Sequence, residues 1–262
     1  MKHFISGPNL GIITSRQTKD DWSALITDSI CGHKTCAAYD INTVFPLYLY
    51  DAETSLIARQ PRGANRREPN VSQLGIKAAE FALGLKWQPY GTPERNKEFG
   101  PEDLLAYIYA ILYSPAYRER YAEFLKSEFA RIPLTRSVRL FFLLRDIGNQ
   151  LLTCHLLRGS GIDEHRFPVP GSGDVETVEF QMETERVYIN ARQYFSGVTE
   201  EIWQFMVGGY QVCHKWLKDR REMVLTEDDV MTYRRTLAAI GRTIQLMKQV
   251  DEAVESNGGW PI

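Results

Sequence analysis

The sequence predicts an α+β fold, in which mixed sheet segments pack against a helical layer and a long helix ends the chain. Short runs rich in Ile, Val and Tyr in the first fifty residues favour strands. Apolar residues at helical spacing from residue 101 to about residue 157 favour helices. With 262 residues, of which 44% are hydrophobic and 24% charged, the chain is large enough to bury a substantial core.

The first hundred residues predict strands, loops and one short helix. Pro46 places the second strand at a sheet edge or a strand start, because proline cannot donate to a sheet ladder. Pro61 and Gly63 argue against regular structure in the arginine-rich segment around them. The expected order is strand 10–14, loop 31–40, strand 44–50, irregular segment 58–69 and helix 76–85.

The middle of the chain predicts three helices that pack as one bundle layer. The first covers residues 101–113. Ser114 and Pro115 are typical of an N-cap and a first helical turn, so a second helix should run from Pro115 through Phe129. A break at 131–134 separates it from a third helix, which starts near Ser137 and continues up to Gly159.

The last hundred residues predict a hairpin and more helices. Residues 159–173 contain four glycines and two prolines and predict a long connection. Thr226 and Asp229 have the spacing of a capping box at the start of the long final helix. We expect one module over residues 1–262, with a sub-boundary near residues 159–175 as the alternative. The expected elements are strands 175–180 and 186–189 and helices 200–206, 210–220 and 226–254.

Charge and hydropathy narrow the functional class. The 31 basic and 33 acidic residues give a net charge of −2, so the chain has no global basic field. Arginine supplies 21 of the 31 basic residues, which suits recognition of guanine or phosphate but equally suits a GC-rich coding sequence. The longest apolar run, residues 140–144, is too short to span a bilayer, and no signal-peptide core follows Met1. We therefore expect a cytoplasmic protein without membrane contact.

Sequence motifs for catalysis are missing. There is no dinucleotide fingerprint, no phosphate-binding loop and no nucleophile elbow. Cys31 and Cys36 resemble half of a zinc site, but no second ligand pair follows, so we expect reduced thiols, no metal and no cofactor. Asp174, Glu179 and Gln181 loosely resemble the acidic strand of metal-dependent nucleases, although alternating acids on an exposed hairpin explain them better.

Two basic features remain as candidates for binding. One is the arginine-rich segment 59–67, and the other is segment 215–221, where Trp216 lies among lysines and arginines. Cations beside an aromatic ring suit a phosphate backbone. The alternative for the second segment is a helix C-terminus whose cations face the negative end of the helix dipole.

Several strings, in this order, resemble successive blocks of one family, and they span residues 9–251. The sequence is similar to the C-terminal specificity (target recognition) domain of type ISP restriction-modification enzymes and related adenine-specific DNA methyltransferases. The YRERY and KWLK strings are the most specific. The matching blocks are NLGIITSRQ (9–17), FPLYLY (45–50), YIYAILYSPAYRERY (107–121), RIPL (131–134), CHLL (154–157) and GYQVCHKWLKDR (209–220).

This resemblance implies a module that reads a double-stranded DNA sequence for a methyltransferase domain or subunit, which itself flips and methylates adenine. The sequence contains no motif for the target amino group, for S-adenosylmethionine or for a helicase, so we expect no enzyme activity from this chain by itself. The rival hypothesis is a non-catalytic protein-interaction or structural remnant of such an enzyme. A residual nuclease at Asp174 and Glu179 is a third, less favoured hypothesis.

The candidate DNA contacts are chosen by their chemistry, because the resemblance fixes no base-reading position. Long polar side chains on loops suit the major groove, and cations at a helix end suit phosphates. A structural role at the end of the first strand is an equal alternative for Arg16 and Gln17. The candidates for base or groove contacts are Arg16, Gln17, Lys19, Arg59, Arg62, Arg66 and Arg67, and those for backbone contacts are Lys215, Lys218, Arg220 and Arg221.

Overall fold

A computed structural model describes residues 2–19, 21–36, 40–50, 67–159 and 164–262. The α+β prediction is confirmed: helices alternate with small sheets, and a long helix lies near the C-terminus. No described helix is long and apolar enough to cross a membrane. The helices are α1 (Lys2–Ile5), α2 (Gln73–Leu83), α3 (Pro101–Leu112), α4 (Pro115–Arg120), α5 (Ala122–Ser127), α6 (Val138–His155), α7 (Glu200–Trp203), α8 (Val212–Lys218) and α9 (Glu227–Glu255).

The strands form small sheets, most of them antiparallel. The first has the order β2-β1-β3, the second β4-β5, the third the parallel pair β6-β7, the fourth β10-β9-β8 and the fifth β11-β12. The strands are β1 (Gly11–Ser15), β2 (Ala24–Thr27), β3 (Asn42–Pro46), β4 (Tyr48–Tyr50), β5 (Arg67–Pro69), β6 (Lys86–Trp87), β7 (Glu98–Phe99), β8 (Glu179–Gln181), β9 (Arg186–Tyr188), β10 (Tyr194–Ser196), β11 (Met206–Val207) and β12 (Tyr210–Gln211).

The buried side chains form two clusters. The first core joins the β2-β1-β3 sheet, α2, α3, α4, α5 and α6 to the C-terminal half of α9. The second core lies between the β10-β9-β8 sheet, α7, α8 and the N-terminal half of α9. Helix α9 therefore belongs to both cores, with Leu237 buried in the second and Leu246 in the first. Whether the chain is one domain or divides near residues 159–175 stays a prediction.

The predicted bundle layer is the centre of the first core. Helix α3 packs against α6, and α6 packs against α9. The backbones of α3 and α6 meet at Gly148, where a Cβ atom would lie only 1.9 Å from the carbonyl oxygen of Ala106. Glycine is required there because two helix backbones approach more closely than a side chain allows. This contact fixes the spacing of the layer on which the first sheet rests.

A buried polar chain links three of these helices where the two cores meet. The hydroxyl of Thr243 on α9 donates its single proton to the carbonyl oxygen of Ala239 at 2.7 Å. Its oxygen can therefore only accept from His155, so Nε2 of His155 is the donor in their contact at 2.8 Å. His155 Nδ1 then accepts from the hydroxyl of Tyr109 on α3 at 2.6 Å. Burial and, to a smaller extent, the nearby Arg118 guanidinium together lower the pKa of His155 to about 3. The imidazole is therefore neutral and holds α3, α6 and α9 together.

Several predicted elements have different boundaries. The predicted strand 44–50 divides at Leu47, whose N–H bonds to Leu10 outside the ladder, and Pro46 ends the edge strand β3 as its chemistry requires. The predicted helix 115–129 is wrong as one helix, because the backbone at Tyr121 leaves helical geometry between α4 and α5. Segment 58–69 is not irregular throughout: Arg67 to Pro69 pair with β4.

The second half shows similar shifts. Of predicted strand 175–180, only its end lies in β8, because the N–H of Val175 bonds to the carbonyl oxygen of Met223, beside the isolated bridge between Asp174 and Val224. The start of predicted helix 210–220 is the hairpin strand β12. The helix at 226–254 is confirmed, and Thr226 and Asp229 form the predicted capping box. The predicted strands do not include β2, β10 and β11, which have four, three and two residues.

Candidate nucleic-acid interface

Helix α8 carries the start of the basic segment 215–221, and the turn after the helix carries the rest. One side of the helix is apolar: Cys213 and Leu217 are fully buried in the second core. His214 and Lys218 are four residues apart on α8, so they share another side, and Arg221 in the turn after the helix lies beside them at the same cavity. The hairpin β11-β12 leads directly into α8 and turns at Gly208, whose positive φ of 53° suits a residue without a side chain.

Two concave cavities flank this side of α8. The larger, about 470 Å³, lies between the hairpin and the helix and includes Tyr210, Lys215 and Lys218 in its wall. The smaller, about 220 Å³, lies between α8 and the extended segment before β8, at Thr177, Lys218 and Arg221. His214 and Lys218 line both cavities, so the two form one continuous surface. We call the set Thr177, Tyr210, His214, Lys215, Lys218 and Arg221 the α8 surface.

The cations of the α8 surface differ in how far their charge is neutralised. Lys215 Nζ lies 2.7 Å from a carboxylate oxygen of Asp219 and 5.3 Å from the ring centre of Tyr210. Lys218 and Arg221 have no carboxylate within ion-pair distance among the described residues. These two exposed cations therefore face solvent without an ion-pair partner among the described residues, and they line concave walls.

Arg220, a predicted backbone contact, points away from the α8 surface toward Trp216 and Asp229. Its guanidinium lies 3.5 Å from the ring centre of Trp216 and forms an ion pair with Asp229 at 3.2 Å. It also donates to the carbonyl oxygen of Trp216. The pKa of Asp229 is lowered mainly by its hydrogen bonds with Thr226, and Arg220 adds to the effect. Arg220 thus ties the end of α8 to the start of α9.

The N-terminal candidates lie on the other core. Arg16 follows β1 and forms hydrogen bonds of 3.2 and 3.4 Å with the carboxylate of Glu128 beyond α5, and this carboxylate raises the Arg16 pKa. Gln17 and Lys19 belong to the same loop, where the backbone N–H of Lys19 bonds to Asp40. The structure therefore keeps this loop separate from the α8 surface.

Arg67 is the one member of the arginine-rich group within the described part of the chain; Arg59, Arg62 and Arg66 lie outside it. Its guanidinium covers the ring of Tyr48 at 3.9 Å. It lines a cavity of about 380 Å³ that also contains the ion pair between Arg158 and Asp28 and the carboxylate of Glu102. Two acids and two arginines leave this cavity without the net positive charge that attracts phosphate.

The residues considered for metal chemistry have other contacts. The Cys36 thiol is buried and donates to the carbonyl oxygen of Ile13, and burial raises its pKa to about 12. The backbone oxygen of Asp174 accepts from Asn190, while the Glu179 carboxylate accepts from Gln181 at 3.4 Å. The described residues contain no group of three side chains arranged to hold a metal ion.

Sequence reasoning missed Thr177, Tyr210 and His214 as members of the α8 surface. The spacing of His214 with Lys218 was a usable signal, since residues four apart share a helix face. Thr177 is more than thirty residues away in sequence and reaches α8 through the packing of the second core, so no local pattern identifies it.

The fold matches DNA-bound restriction-modification enzymes. The chain aligns with the ATP-dependent Type ISP restriction-modification enzyme LlaBIII bound to DNA (TM-score 0.67, 16% identity, 94% of this chain and 16% of that chain). It also aligns with a nuclease-deletion mutant of the Type ISP enzyme LlaGI in complex with a DNA substrate mimic (0.64, 18%, 93% and 21%) and with the DrdV–DNA complex (0.67, 18%, 93% and 24%).

The chain spans less than a quarter of the length of each of these proteins. No curated protein matches it. The model of the Type ISP C-terminal specificity domain matches residues 1–249, which is almost the whole chain, in agreement with the resemblance of its sequence blocks. The chain belongs to the family of Type ISP C-terminal specificity domains.

Proposed function

We propose that this chain recognises a sequence in double-stranded DNA for an adenine-specific methyltransferase domain or subunit, and that it does so in the cytoplasm. The observation that carries the proposal is the α8 surface, where Lys218 and Arg221 lack carboxylate partners among the described residues and line adjoining concave cavities. Cations that no acid neutralises are what a phosphate backbone binds. Family membership and the DNA named with all three similar structures support this assignment.

Binding by the chain alone is expected to be weak. Its net charge of −2 provides little long-range attraction for DNA. A methyltransferase that supplies the opposite wall of the cleft would add the remaining phosphate contacts. The chain itself contributes recognition and no chemical step.

The proposal is tested by titrating a fluorescent duplex of mixed sequence with the chain at low salt, alone and together with a partner methyltransferase. We expect binding that weakens steeply with salt. In the double variant K218Q/R221Q the slope of log affinity against log salt should fall by about two units, one for each phosphate that a cation no longer neutralises. Arg139→Gln, which removes an exposed arginine of α6, is the matched control. No binding in either condition would overturn the proposal.

The rival function is docking on another protein. It is favoured by an apolar cavity of about 350 Å³ between α4, α5 and residues 128–133, beside the exposed ring of Phe124. An exposed apolar patch is typical of an interaction site. Wild-type binding to a protein partner but to no duplex would support the rival hypothesis, and Phe124→Asp should then abolish the protein association while K218Q/R221Q leaves it unchanged. Nicking of DNA that requires Mg²⁺ would instead support the residual nuclease.

A further inference from the structure

The β10-β9-β8 sheet next to the α8 surface has one buried and one partly exposed face. Val187 and Phe195 are fully buried on one side, and Phe180 stacks on Trp203 there at 5.1 Å. Successive side chains of a strand point to opposite faces, so the residues before and after Phe180, Val187 and Phe195 lie on the other side of the sheet. The strand register aligns these neighbours in two rows, which together we call the outer face: Glu179, Tyr188 and Tyr194 in one row, and Gln181, Arg186 and Ser196 in the other.

The centre of the outer face is held in a fixed geometry. The Arg186 guanidinium lies 4.3 Å from the ring centre of Tyr194, and its Nη1 donates to the hydroxyl of Tyr188 at 3.4 Å. No carboxylate lies within ion-pair distance of Arg186 among the described residues. A planar guanidinium that rests on an aromatic ring loses little conformational entropy when it binds, and four of its five N–H donors remain available.

The loop behind the outer face is also rigid. Asn190 Oδ1 accepts from the backbone N–H groups of Arg192 and Gln193, at 3.0 and 2.8 Å, and fixes the turn between β9 and β10. Gln193 is buried and bonds to the backbone of Gly173 and Val169. The strands that carry Arg186, Tyr188 and Tyr194 are therefore supported at the turn as well as by the core beneath them.

The outer face and the α8 surface have different chemistry. The α8 surface offers cations, which suit phosphates that all sequences share. The outer face combines donors on Arg186, a carboxylate on Glu179 and both functions on Gln181. Base edges in the major groove display donors and acceptors in patterns that Arg, Gln and Glu distinguish, whereas a carboxylate repels phosphate. Glu179 thus favours base edges as the ligand of this face.

The two surfaces adjoin at Thr177, which lines the α8 cavity two residues before β8. Strand geometry places Tyr188 roughly 8 Å and Arg186 roughly 14 Å from Thr177. At about 3.4 Å per base pair, the second distance corresponds to about four base pairs. In the order β10-β9-β8, β8 is the edge strand, so the β8-β9 edge of the sheet is the part that can enter the major groove, which is about 12 Å wide.

We infer that the β8-β9 hairpin lies in the major groove of a duplex whose phosphates contact the α8 surface, and that Arg186, Gln181 and Glu179 read base edges there. The inference rests on the proposed function, since it requires that the chain binds duplex DNA. Arg186 is the central residue, with Tyr188 and Tyr194 positioning its guanidinium. These residues determine which sequence is preferred, whereas Lys218 and Arg221 determine how strongly any duplex is held.

The experiment is selection from a random duplex library, with bound DNA sequenced, using the 262-residue chain at low salt with its methyltransferase partner. We expect wild type to enrich a sequence, and K218Q/R221Q to enrich the same sequence at lower yield. R186Q and Q181A should lose the preference at one or two positions, with a fall of about tenfold for the enriched duplex and little change for random duplex. R186K, which keeps the charge but not the planar stack, should behave as R186Q does.

The outcomes separate this inference from the function on which it rests. If wild type retains no duplex, both fail. If wild type enriches a sequence and R186Q, R186K and Q181A enrich the same one, the outer face does not read bases, while DNA recognition stands. Binding by wild type without any preference overturns both, because the proposed function is the recognition of a sequence. Thermal melts of each variant, with Arg139→Gln as the control, confirm that the compared proteins are folded.

Discussion

Around the first core, largely buried arginines bind partners within the chain. Arg118 lies between the rings of Trp22 and Tyr113 and donates to the carbonyl oxygen of Leu112, and Arg145 pairs with two carboxylates. On the second core, Lys218 and Arg221 have no such partner in the described chain. The net charge of −2 hides this difference, because it counts cations without their neighbours. Structural cations and cations available to a ligand therefore differ in their partners within the chain, and the number of cations alone does not distinguish them.

The two cores differ most in the space around a helical glycine, Gly148 in the first core and Gly241 beside the second. We expect the largest effect on the free energy of unfolding when Gly148 is replaced. Gly148→Ala places a Cβ atom 1.9 Å from a backbone oxygen of α3, so the two helices must separate. Overpacking against backbone should destabilise the fold by more than about 3 kcal/mol. Gly241→Ala on α9 is the matched control, since its Cβ meets only the flexible end of Ile202 at 3.3 Å.

The control should change stability by no more than about 1 kcal/mol, because alanine also favours the helix. Urea denaturation of both variants measures the difference. Equal, small effects would mean that α3 and α6 do not approach at Gly148 as described.

Helix α9 offers a way to test whether the two cores unfold together. Leu237 and Leu246 are both fully buried, one in each core. We propose that the shared helix makes the chain one cooperative unit. Leu237→Ala and Leu246→Ala should then each lower the same single transition, by about 2 to 5 kcal/mol. Two transitions in calorimetry, each moved by only one variant, would instead divide the chain near residues 159–175.

The sequence predicted the long regular elements better than the short ones. The apolar seam of α9 and its capping residues are local signals, and both were sufficient. Strand β10 has three residues and owes its place to pairing with β9, so its own sequence contains little information. The candidate site shows the same difference. The basic helix sequence alone identifies Lys218 as a candidate cation, whereas the ion pairs of Arg16 and Arg220 form with residues that only the fold brings near.

The buried histidine where the cores meet predicts a smaller, pH-dependent effect. His155 is neutral in the folded state, with its pKa lowered by burial from 6.5 to about 3. Because the unfolded chain binds a proton more readily, stability is full above about pH 6.5 and falls as the pH drops toward 3. Between about pH 6.5 and pH 5 the loss should be about 1.5 kcal/mol.

Denaturation at both pH values measures this loss, and His155→Gln should remove most of it. His165, whose pKa burial also lowers, accounts for a residual dependence of the same sign. An unchanged pH dependence in H155Q would mean that His155 is not the buried group responsible.

The smallest effect on stability should come from replacing Arg16. This replacement also tests most directly whether cations with an internal partner differ from cations without one. Arg16 and Glu128 are both more than half exposed, so solvent screens their ion pair and its loss should change stability very little. Glu128 already neutralises the guanidinium, so Arg16→Gln should weaken duplex binding less than Lys218→Gln does. A salt titration of both variants decides the point. If R16Q lowers the salt slope as much as K218Q, Arg16 exchanges Glu128 for a phosphate on binding, and internal pairing does not separate the two classes of cation.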